Sequence, residues 1–409
     1  LLDLGRLPRD RTNEAAIAVG MAFPNFVVNV KTPCLFARRQ GRPVDKTPEC
    51  VAEKIAMRIE ETRHNDGWNE SGMDRGSGQL SPFPFRDTIG YFPTHMSPSR
   101  SGSRRNWAPI VECSQGSCAS QEFVTPHIGF TAQYHFLNKT DISEIVSQET
   151  VPIEVDYEME IRDVIEQTKK LATDPLSKTK IGAYDNKFIF ADAYGQILAR
   201  NENSWEEVVY WAFSFLLVEY EGTLITWRSK VQNDHVRPTT VAQEILGNEV
   251  IESFQYGEDT TKSYPANQWN PYIRVMPHAE FPSGSACLCS AASAITAQLY
   301  GKKYDDPFPL NVTFNINTVE DRLSGKNFQD HFSTLKDYAD DCSNSRYWGG
   351  MHFRFSLQPA ARMCTVANDF TRKGEALAQY LWTGHEDFLA PFGGYEAFGY
   401  KGDRAYTWY

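Results

Sequence analysis

Apolar residues recur at the spacing of an α-helix along most of the chain after about residue 154. Side chains three or four positions apart share one helix face, so this period predicts a series of amphipathic helices. The predicted helices cover seven segments: 155–172, 204–232, 239–248, 284–300, 328–343, about 350–370, and 374–384. The pattern therefore predicts an all-α class and a helical bundle for residues 151–409.

The first 150 residues carry a less regular pattern. One helix is predicted at 47–64, and a stretch rich in Gly, Ser and Pro follows at 65–110. We expect residues 1–150 to form an irregular region that packs on the bundle. Two segments inside the helical part, 187–199 and 311–316, resemble strands and would form at most a small hairpin.

Composition and charge exclude two broad classes of function. The net charge is -11, whereas a general nucleic-acid binder needs clustered cations for phosphate contacts. No run of 18 apolar residues occurs, because Glu219 and Glu221 interrupt the most apolar segment, so no membrane span is expected. We expect that segment to be a buried helix instead.

The cysteines and glycosylation sequons favour a secreted protein. Eight cysteines are present, and two local pairs would suit disulfides: Cys34 with Cys50, and Cys113 with Cys118. Cys287 and Cys289 are expected to be core residues of a helix. Three Asn-x-Ser/Thr sequons occur, at Asn69, Asn138 and Asn311. Because the chain begins at Leu1 rather than Met, we also expect a preceding segment.

The segment KVQNDHVRP contains the first functional candidates. Lys230 and Arg237 are seven positions apart, which is two helical turns, so both cations would project from one face at a helix end. Pro238 would then stop that helix. Two cations on one face repel each other unless an anion lies between them, so the spacing indicates an anion site.

The segment FPSGSA predicts a helix start suited to anions. Pro282, Ser283 and Gly284 would form a tight turn, with the Ser283 hydroxyl and the Gly284 amide pointing out of the helix. Unpaired N–H groups and the helix dipole favour negative charge at such a place. Ser285 would lie on the first exposed turn.

The segment SRYWGGMHF contributes the last candidates. Arg346 and His352 are six positions apart around Gly349 and Gly350, and Ser345 is expected to be a helix N-cap. Arg346 would bring a third cation and His352 an imidazole nitrogen. Together the three segments suit a tetrahedral oxyanion with four oxygens.

These three segments resemble the motifs K-x6-R-P, P-S-G-H and S-R-x3-G-x-H of the vanadium-dependent haloperoxidases. That family shares its anion pocket with the type 2 phosphatidic acid phosphatases and the bacterial class A acid phosphatases. The resemblance covers roughly residues 205–375 and, less specifically, 106–129. It implies an all-α fold of two four-helix bundles with the cofactor at their junction, and a homo-oligomeric assembly.

The resemblance also implies vanadate as the cofactor. Six residues would hold it: Lys230, Arg237, Arg346, Ser283 and the Gly284 amide at its oxygens, and His352 through a ring nitrogen bonded axially to vanadium. Lys230 would polarise bound peroxide. Hydrogen peroxide would then oxidise a halide to a hypohalite-like species that halogenates an organic acceptor. We therefore expect His352, Lys230 and Ser285 to be catalytic.

Ser285 departs from the family pattern, in which most members have a histidine that assists proton transfer at this position. A serine hydroxyl donates a hydrogen bond but does not titrate near neutral pH, so acid–base assistance is lost or moved. One interpretation is natural use of serine, with Lys230 or a water carrying protons. Alternatively His278, His235 or Glu280 substitutes, or the residue was changed experimentally or the chain has drifted toward another reaction.

Two other functions stay open at this point. An acid phosphatase-like phosphomonoesterase would use His352 as a nucleophile, an acid at Ser285, and commonly an aspartate four residues after the nucleophile. Here that last position is Ser356. Both departures disfavour a phosphatase more than a haloperoxidase. A non-catalytic oxyanion-binding relative is the third alternative.

Overall fold

The computed structural model describes residues 66–69, 85–93, 106–114, 117–132, 139–185, 187–201, 203, 205–255, 258, 260–315 and 327–366. The chain divides into two compact units, Leu1–Thr88 with Lys373–Tyr409, and Ile89–Arg372. All candidate functional residues belong to the second unit. The predicted helices 47–64 and 374–384 and the Cys34/Cys50 pair lie outside the described residues.

The described part of the chain is mostly helical, which confirms the predicted class. Its α-helices are α1 Lys139–Gln148, α2 Tyr157–Lys170, α3 Pro175–Asp185, α4 Lys187–Arg200, α5 Trp205–Asn233, α6 Pro238–Val241, α7 Gly284–Leu299, α8 Leu335–Trp348 and α9 Leu357–Val366. A π-helical turn, Ala242–Leu246, extends α6. None of these helices is both long enough and apolar enough to cross a bilayer.

Six strands form three antiparallel hairpins in the described residues. They are β1 Val111–Ser114 with β2 Ser117–Ser120, β3 Val250–Ser253 with β4 Lys262–Pro265, and β5 Pro307–Asn315 with β6 Asn327–Thr334. The last pair places Leu310 opposite Phe332. Both side chains are buried, so this hairpin covers one edge of the helical core.

Helix α7 lies at the centre of the helical unit. It consists largely of Ala, Ser and Cys, and these small side chains allow α5, α8 and α9 to approach it closely. Two disulfides join it to its neighbours: Cys287–Cys364 links α7 to α9, and Cys289–Cys342 links α7 to α8. Cys287 and Cys289 are thus buried, as expected, but they are also cross-links.

The segment 187–199, predicted to be strand-like, is helix α4. Its buried residues Ala193, Tyr194, Ile197 and Leu198 recur at helical spacing. The aromatic and β-branched residues at the start of the segment favoured a strand, but packing of this later face decides the structure.

The predicted helix 328–343 is only half correct. Residues Asn327–Thr334 form β6, and α8 begins at Leu335 behind a capping box of Thr334 and Asp337. Phe328 and Phe332 are four positions apart, a spacing compatible with both a strand face and a helix face. The strand forms because β5 supplies its backbone partners.

Two predicted helix boundaries are also wrong. Helix α5 ends at Asn233, and Pro238 begins α6 rather than ending α5. Arg237 is the extended N-cap residue of α6, so it does not share a helix face with Lys230 as the seven-residue spacing predicted. Ser345 lies inside α8, where its hydroxyl donates to Cys342 O at 2.6 Å, and is not an N-cap.

Part of the N-terminal region packs on α5. The Trp227 indole donates to Val124 O at 3.0 Å, and a Cβ at Gly129 would lie 2.3 Å from the Arg228 nitrogen. This close approach requires glycine at position 129. The division of the chain at residue 150 stays a prediction.

Candidate active site

Lys230 organises the segment that leads into α7. It lies in the last turn of α5, is fully buried, and donates to the carbonyl oxygens of Ala279 at 2.7 Å, Glu280 at 3.0 Å and Pro282 at 2.5 Å. Burial, together with the nearby Arg237 charge, lowers the pKa of Lys230 well below its usual value. Three carbonyl acceptors nevertheless require three N–H donors, which only the ammonium form has.

Arg237 bridges two segments of the site. Its Nε donates to His278 O at 2.9 Å, and its Nη1 donates to Met351 O at 3.0 Å. The same guanidinium contacts two imidazoles, with Nη2 2.9 Å from His278 Nδ1 and Nη1 3.3 Å from His352 Nε2. Burial lowers the pKa of Arg237 to about 10, so it remains charged at neutral pH.

His352 is held between a donor and an acceptor. Arg237 can only donate, so His352 Nε2 accepts and carries the lone pair. The opposite ring nitrogen, Nδ1, then carries the proton and donates to Glu280 Oε1 at 2.8 Å. Burial, more than any other effect, lowers the pKa of His352 to about 3. At neutral pH the imidazole is therefore neutral, as a nitrogen ligand or nucleophile must be.

Glu280 is a fully buried carboxylate at the centre of this network. Oε1 also accepts from the Phe353 amide at 3.0 Å, and Oε2 accepts from His235 Nδ1 at 2.9 Å. Burial alone would raise the pKa of Glu280, but the hydrogen bonds from His235 and His352 outweigh it and lower that pKa. Glu280 is thus ionised at neutral pH.

The start of α7 supplies the remaining polar groups. Ser283 is the N-cap, and its buried hydroxyl accepts from the Ala286 amide at 3.4 Å. The Ser283 amide donates to Ser356 O at 3.2 Å, which ties this start to the segment before α9. The amides of Gly284 and Ser285 belong to the first turn, where a helix has no acceptor of its own.

Ser285 is half-buried on that first turn. Its hydroxyl makes no hydrogen bond to another residue in the described ranges. The structure therefore places Ser285 beside Ser283 and Gly284 without joining its side chain to His352 or Lys230.

Arg346 is buried but points toward another part of the bundle. Its Nη1 donates to Asp185 Oδ1 at 2.6 Å, and its Nη2 donates to Ile181 O at 3.4 Å, both on α3 or its end. Its backbone oxygen accepts from the Met351 amide at 3.1 Å. The third predicted cation thus has a carboxylate partner and makes no hydrogen bond to Arg237 or His352 in the described structure.

His278, one of the predicted substitutes for the missing histidine, is neutral. Burial, with the charges of Lys230 and Arg237, lowers its pKa well below the usual value. Because Arg237 Nη2 donates to His278 Nδ1, that lone pair is already occupied. The ring lies 5.0 Å from Trp227 and 6.4 Å from Phe123, centroid to centroid. His278 Nδ1 also lies 3.1 Å from Ala279 O, so both described polar contacts of this imidazole are made through the one nitrogen.

The other two predicted substitutes lie behind His352. Glu280 and His235 contact the Nδ1 side of the network, and His235 Nε2 lies 2.8 Å from the Tyr157 hydroxyl. Sequence reasoning named Glu280 only as one of three alternatives and missed Tyr157 altogether. One signal was available: Glu280 is an acid within the otherwise uncharged segment AEFPSG.

The buried cluster carries an excess of positive charge. Lys230 and Arg237 are two cations, Glu280 is one carboxylate, and His352 is neutral. Burial is the main cause of the depressed pKa values of Lys230 and His278, and the neighbouring cations lower both pKa values further. An oxyanion beside His352 Nε2 and the first turn of α7 would compensate this charge, so the donor set fits vanadate or phosphate.

Comparison with known proteins gives one matching domain model and several structures with a similar fold. Residues 211–379 match the VCPO second helical-bundle domain. A holo-type bacterial vanadium-dependent chloroperoxidase is similar over 90% of this chain and 85% of that chain, with 22% identity and a TM-score of 0.67. The apo-type structure of such a bacterial enzyme gives 21% identity and 0.66 over 90% and 87% of the two chains.

A third similar structure is described as the first bacterial vanadium-dependent iodoperoxidase. It has 16% identity and a TM-score of 0.55 over 90% of this chain and 74% of that one. No curated protein matches the sequence. The matched domain and the shared helical fold agree with the resemblance drawn from the three motifs: residues 211–379 match the second helical-bundle domain, and the chain has the fold of these bacterial vanadium-dependent chloroperoxidases.

Proposed function

We propose that the protein is a vanadate-dependent halide peroxidase. It would use hydrogen peroxide to oxidise a halide to a hypohalite-like species that halogenates an organic acceptor. The observation that carries this proposal is the buried His352 Nε2 lone pair, held beside Arg237 in a cluster with excess positive charge. The shared fold supports it.

The residues that would hold vanadate differ in whether they must first break existing hydrogen bonds. Arg237 already contacts Met351 O and His352 Nε2, and the start of α7 is joined to the same segment by the hydrogen bond from the Ser283 amide to Ser356 O. Lys230 supplies positive charge and holds the 279–282 backbone, and it contacts an anion only by releasing a carbonyl oxygen. Arg346 would have to turn partly away from Asp185.

When bound, vanadate supplies a Lewis acid that activates peroxide. The chain's own residues do the rest. Neutral His352 presents one nitrogen lone pair, and the cations attract both the oxyanion and the halide. Burial of the cluster strengthens these interactions because little water screens them. Ser285 contributes a backbone amide and a hydroxyl donor but no base.

A phosphomonoesterase is the second candidate, and one observation favours it more than the sequence did. The absence of an aspartate at 356 counted against it, but Glu280 supplies a carboxylate to His352 Nδ1 from a different segment. Ser356 Oγ lies 3.4 Å from the same nitrogen. A carboxylate-oriented imidazole is what a nucleophilic histidine needs. The missing acid at Ser285 still disfavours ester cleavage.

A paired assay separates these functions. Purified protein would be given vanadate, peroxide and bromide with a phenol-type indicator dye, and in parallel a phosphate monoester without vanadate. We expect vanadate-dependent bromination that phosphate inhibits and that Ala at 352 abolishes. Ester cleavage that vanadate inhibits would favour the phosphatase. Neither activity with any halide, despite vanadate binding, would leave a non-catalytic oxyanion binder.

Substitution Ser285→His tests the proton question in the same assay. General acid–base assistance typically contributes about 10²- to 10⁴-fold, so a histidine at the α7 start should raise the bromination rate. An unchanged rate would mean that proton transfer is already served by Lys230 or a water.

We further propose that the protein is a secreted or secretory-pathway protein and a homo-oligomer. Cys118 is disulfide-bonded, and two further disulfides join α7 to α8 and α9. Such disulfides are typical of proteins in an oxidising compartment. Among the sequons, Asn311 is exposed, whereas Asn69 is fully buried and donates to Arg86 O at 3.1 Å. Glycan mass mapping and light scattering would test compartment and assembly, and a glycan is expected at Asn311 rather than Asn69.

A further inference from the structure

Glu280 connects all three functional segments of the unit. Its carboxylate contacts His235 between α5 and α6, and His352 with Phe353 before α9. Its backbone oxygen accepts from Lys230 Nζ at 3.0 Å, and its amide donates to His235 O at 2.8 Å. No part of the residue is exposed. A buried carboxylate is costly unless it is fully partnered, and this one has three N–H donors on its two oxygens.

The carboxylate can only accept, which decides how His352 is protonated. A hydrogen bond to Glu280 Oε1 requires the proton on His352 Nδ1, and Arg237 on the other side requires a lone pair on Nε2. Both neighbours thus select the same tautomer. The Phe353 amide, donating to the same Oε1, fixes that oxygen in place.

The second oxygen of Glu280 is fixed just as firmly. His235 Nδ1 donates to Oε2, and the Tyr157 hydroxyl lies on His235 Nε2. His235 also lies 5.7 Å from the Phe355 ring and 5.9 Å from the Phe353 ring, centroid to centroid. The carboxylate therefore cannot rotate away from His352 without breaking the second imidazole contact.

Ser356 is the only other described neighbour of His352 Nδ1, and it is a poor replacement. Its hydroxyl lies 3.4 Å from Nδ1 and donates its proton to Phe353 O at 2.8 Å. The 2.8 Å contact from Glu280 is therefore the stronger of the two.

We propose that Glu280 is the positioning residue of this site: its carboxylate holds His352 with the Nδ1 proton inward and the Nε2 lone pair directed at the anion. This inference deepens the proposed function and rests on it for the identity of the anion. The tautomer itself is a property of the protein alone.

The sign of the effect on anion binding separates positioning from a simple charge effect. Removing the Glu280 charge makes the cluster more positive, so a purely electrostatic role predicts tighter anion binding in every neutral variant. Loss of an imidazole-orienting partner instead weakens metal binding, typically by about 10- to 100-fold.

Two variants make use of this difference. Glu280→Gln keeps an amide oxygen that can accept from the Phe353 amide and from His352 Nδ1, so His352 should keep its tautomer. The NH₂ group of the glutamine would face His235 Nδ1, so His235 should switch to the tautomer with its proton on Nε2. Glu280→Met has a similar length but no acceptor. The control, Glu249→Gln, removes a carboxylate that pairs with Arg162 at the surface.

The first readout is imidazole ¹⁵N NMR of the vanadate-free protein, with His352→Gln used to assign the signal. The second is calorimetric titration with orthovanadate, and the melting temperature without vanadate reports folding. We expect Nδ1–H with an Nε2 lone pair at His352 in the wild type and in Glu280→Gln. Vanadate binding should weaken about 10- to 100-fold in Glu280→Met, fall much less in Glu280→Gln, and stay unchanged in the control.

Several results would overturn the inference. They are an Nε2–H tautomer in the wild type, vanadate binding by Glu280→Met as tight as the wild type or tighter, or equal losses in both variants with the His352 signal unchanged. If Glu280→Met does not fold, the His352 tautomer in the wild type and in Glu280→Gln still tests the inference. If the wild type binds no vanadate, the proposed function fails, while the NMR result tests Glu280 independently.

Discussion

At the scale of single residues, the site depends on donors and acceptors that have no freedom to exchange roles. Arg237 donates to three carbonyl oxygens and two imidazoles, and Glu280 accepts from two imidazoles and an amide. The type of each side chain therefore matters more than its charge alone.

Arg237→Lys tests this statement with charge conserved. A lysine cannot reach both the His278 and the Met351 carbonyl groups, so we expect a lower melting temperature and at least about tenfold weaker vanadate binding. Arg362→Lys is the control, because Arg362 makes a similar forked contact with Glu149 at the surface. An exposed pair contributes about 0–1 kcal/mol, so the control should change little. Equal effects in the two variants would contradict the role of Arg237.

The depressed pKa of His352 predicts acid sensitivity. Between pH 6.5 and about 3 the unfolded state binds a proton at this position that the folded state does not, so the free energy of unfolding falls as pH falls through that window. The lowered pKa of Glu280 acts in the same direction below its unfolded value. Denaturant titrations from pH 7 to pH 4 should show a shallower decline in His352→Gln. An equal slope in both proteins would contradict a buried, neutral His352.

At the scale of elements, the backbone around the site is held by cross-links and by glycine. The disulfides enclose 77 and 53 residues and join α7 to the two helices that flank the Arg346–His352 segment. Chain entropy predicts a stabilisation of about 4–5 kcal/mol for loops of this size.

Substitution of Cys287 and Cys364 together by Ala should therefore lower the free energy of unfolding by about 2–5 kcal/mol. We also expect weaker vanadate binding, because the start of α7 is no longer fixed relative to α9. Urea titration and calorimetry measure the two effects. Unchanged vanadate affinity in a destabilised variant would mean that the disulfide supports the fold but not the site.

Gly350 supplies the turn between Arg346 and His352. Its φ is +79°, and a Cβ would lie 2.9 Å from both Pro271 Cβ and Thr168 Cγ2. Gly350→Ala should lower the melting temperature and weaken vanadate binding because His352 is displaced. Gly195→Ala is a matched control within α4, where a Cβ meets no atom within 4 Å, and it should stabilise the protein by about 0.5–1 kcal/mol. A harmless Gly350→Ala would contradict the strained turn.

Some elements were predictable from sequence and others were not. Helices α2, α5 and α7 follow from long periodic segments, in which local pattern and burial agree. The predictions for residues 187–199 and 327–334 were wrong because the spacing of apolar and aromatic residues there is compatible with both a strand and a helix. Packing against segments distant in sequence decided between the two structures. The contact between Arg346 and Asp185 could not be predicted for the same reason, because the two residues are 161 positions apart.

At the scale of the whole molecule, three short segments distant in sequence converge on one buried cluster. Sequence alone named Lys230, Arg237, Ser283 and His352 because each lies in a recognisable motif. It could not rank Glu280 above His278 and His235, because only the fold brings the carboxylate onto His352 Nδ1. The N-terminal residues and the assembly remain predictions.

The most direct test of the central claim is a crystal structure of the protein with vanadate, with vanadium located by its anomalous scattering. The expected result is one vanadium atom bonded to His352 Nε2, with Arg237 and the first amides of α7 donating to its oxygens. Vanadium bound elsewhere, or an oxyanion held in the cluster without a bond to His352, would contradict the claim that this cluster is the vanadate site of a haloperoxidase.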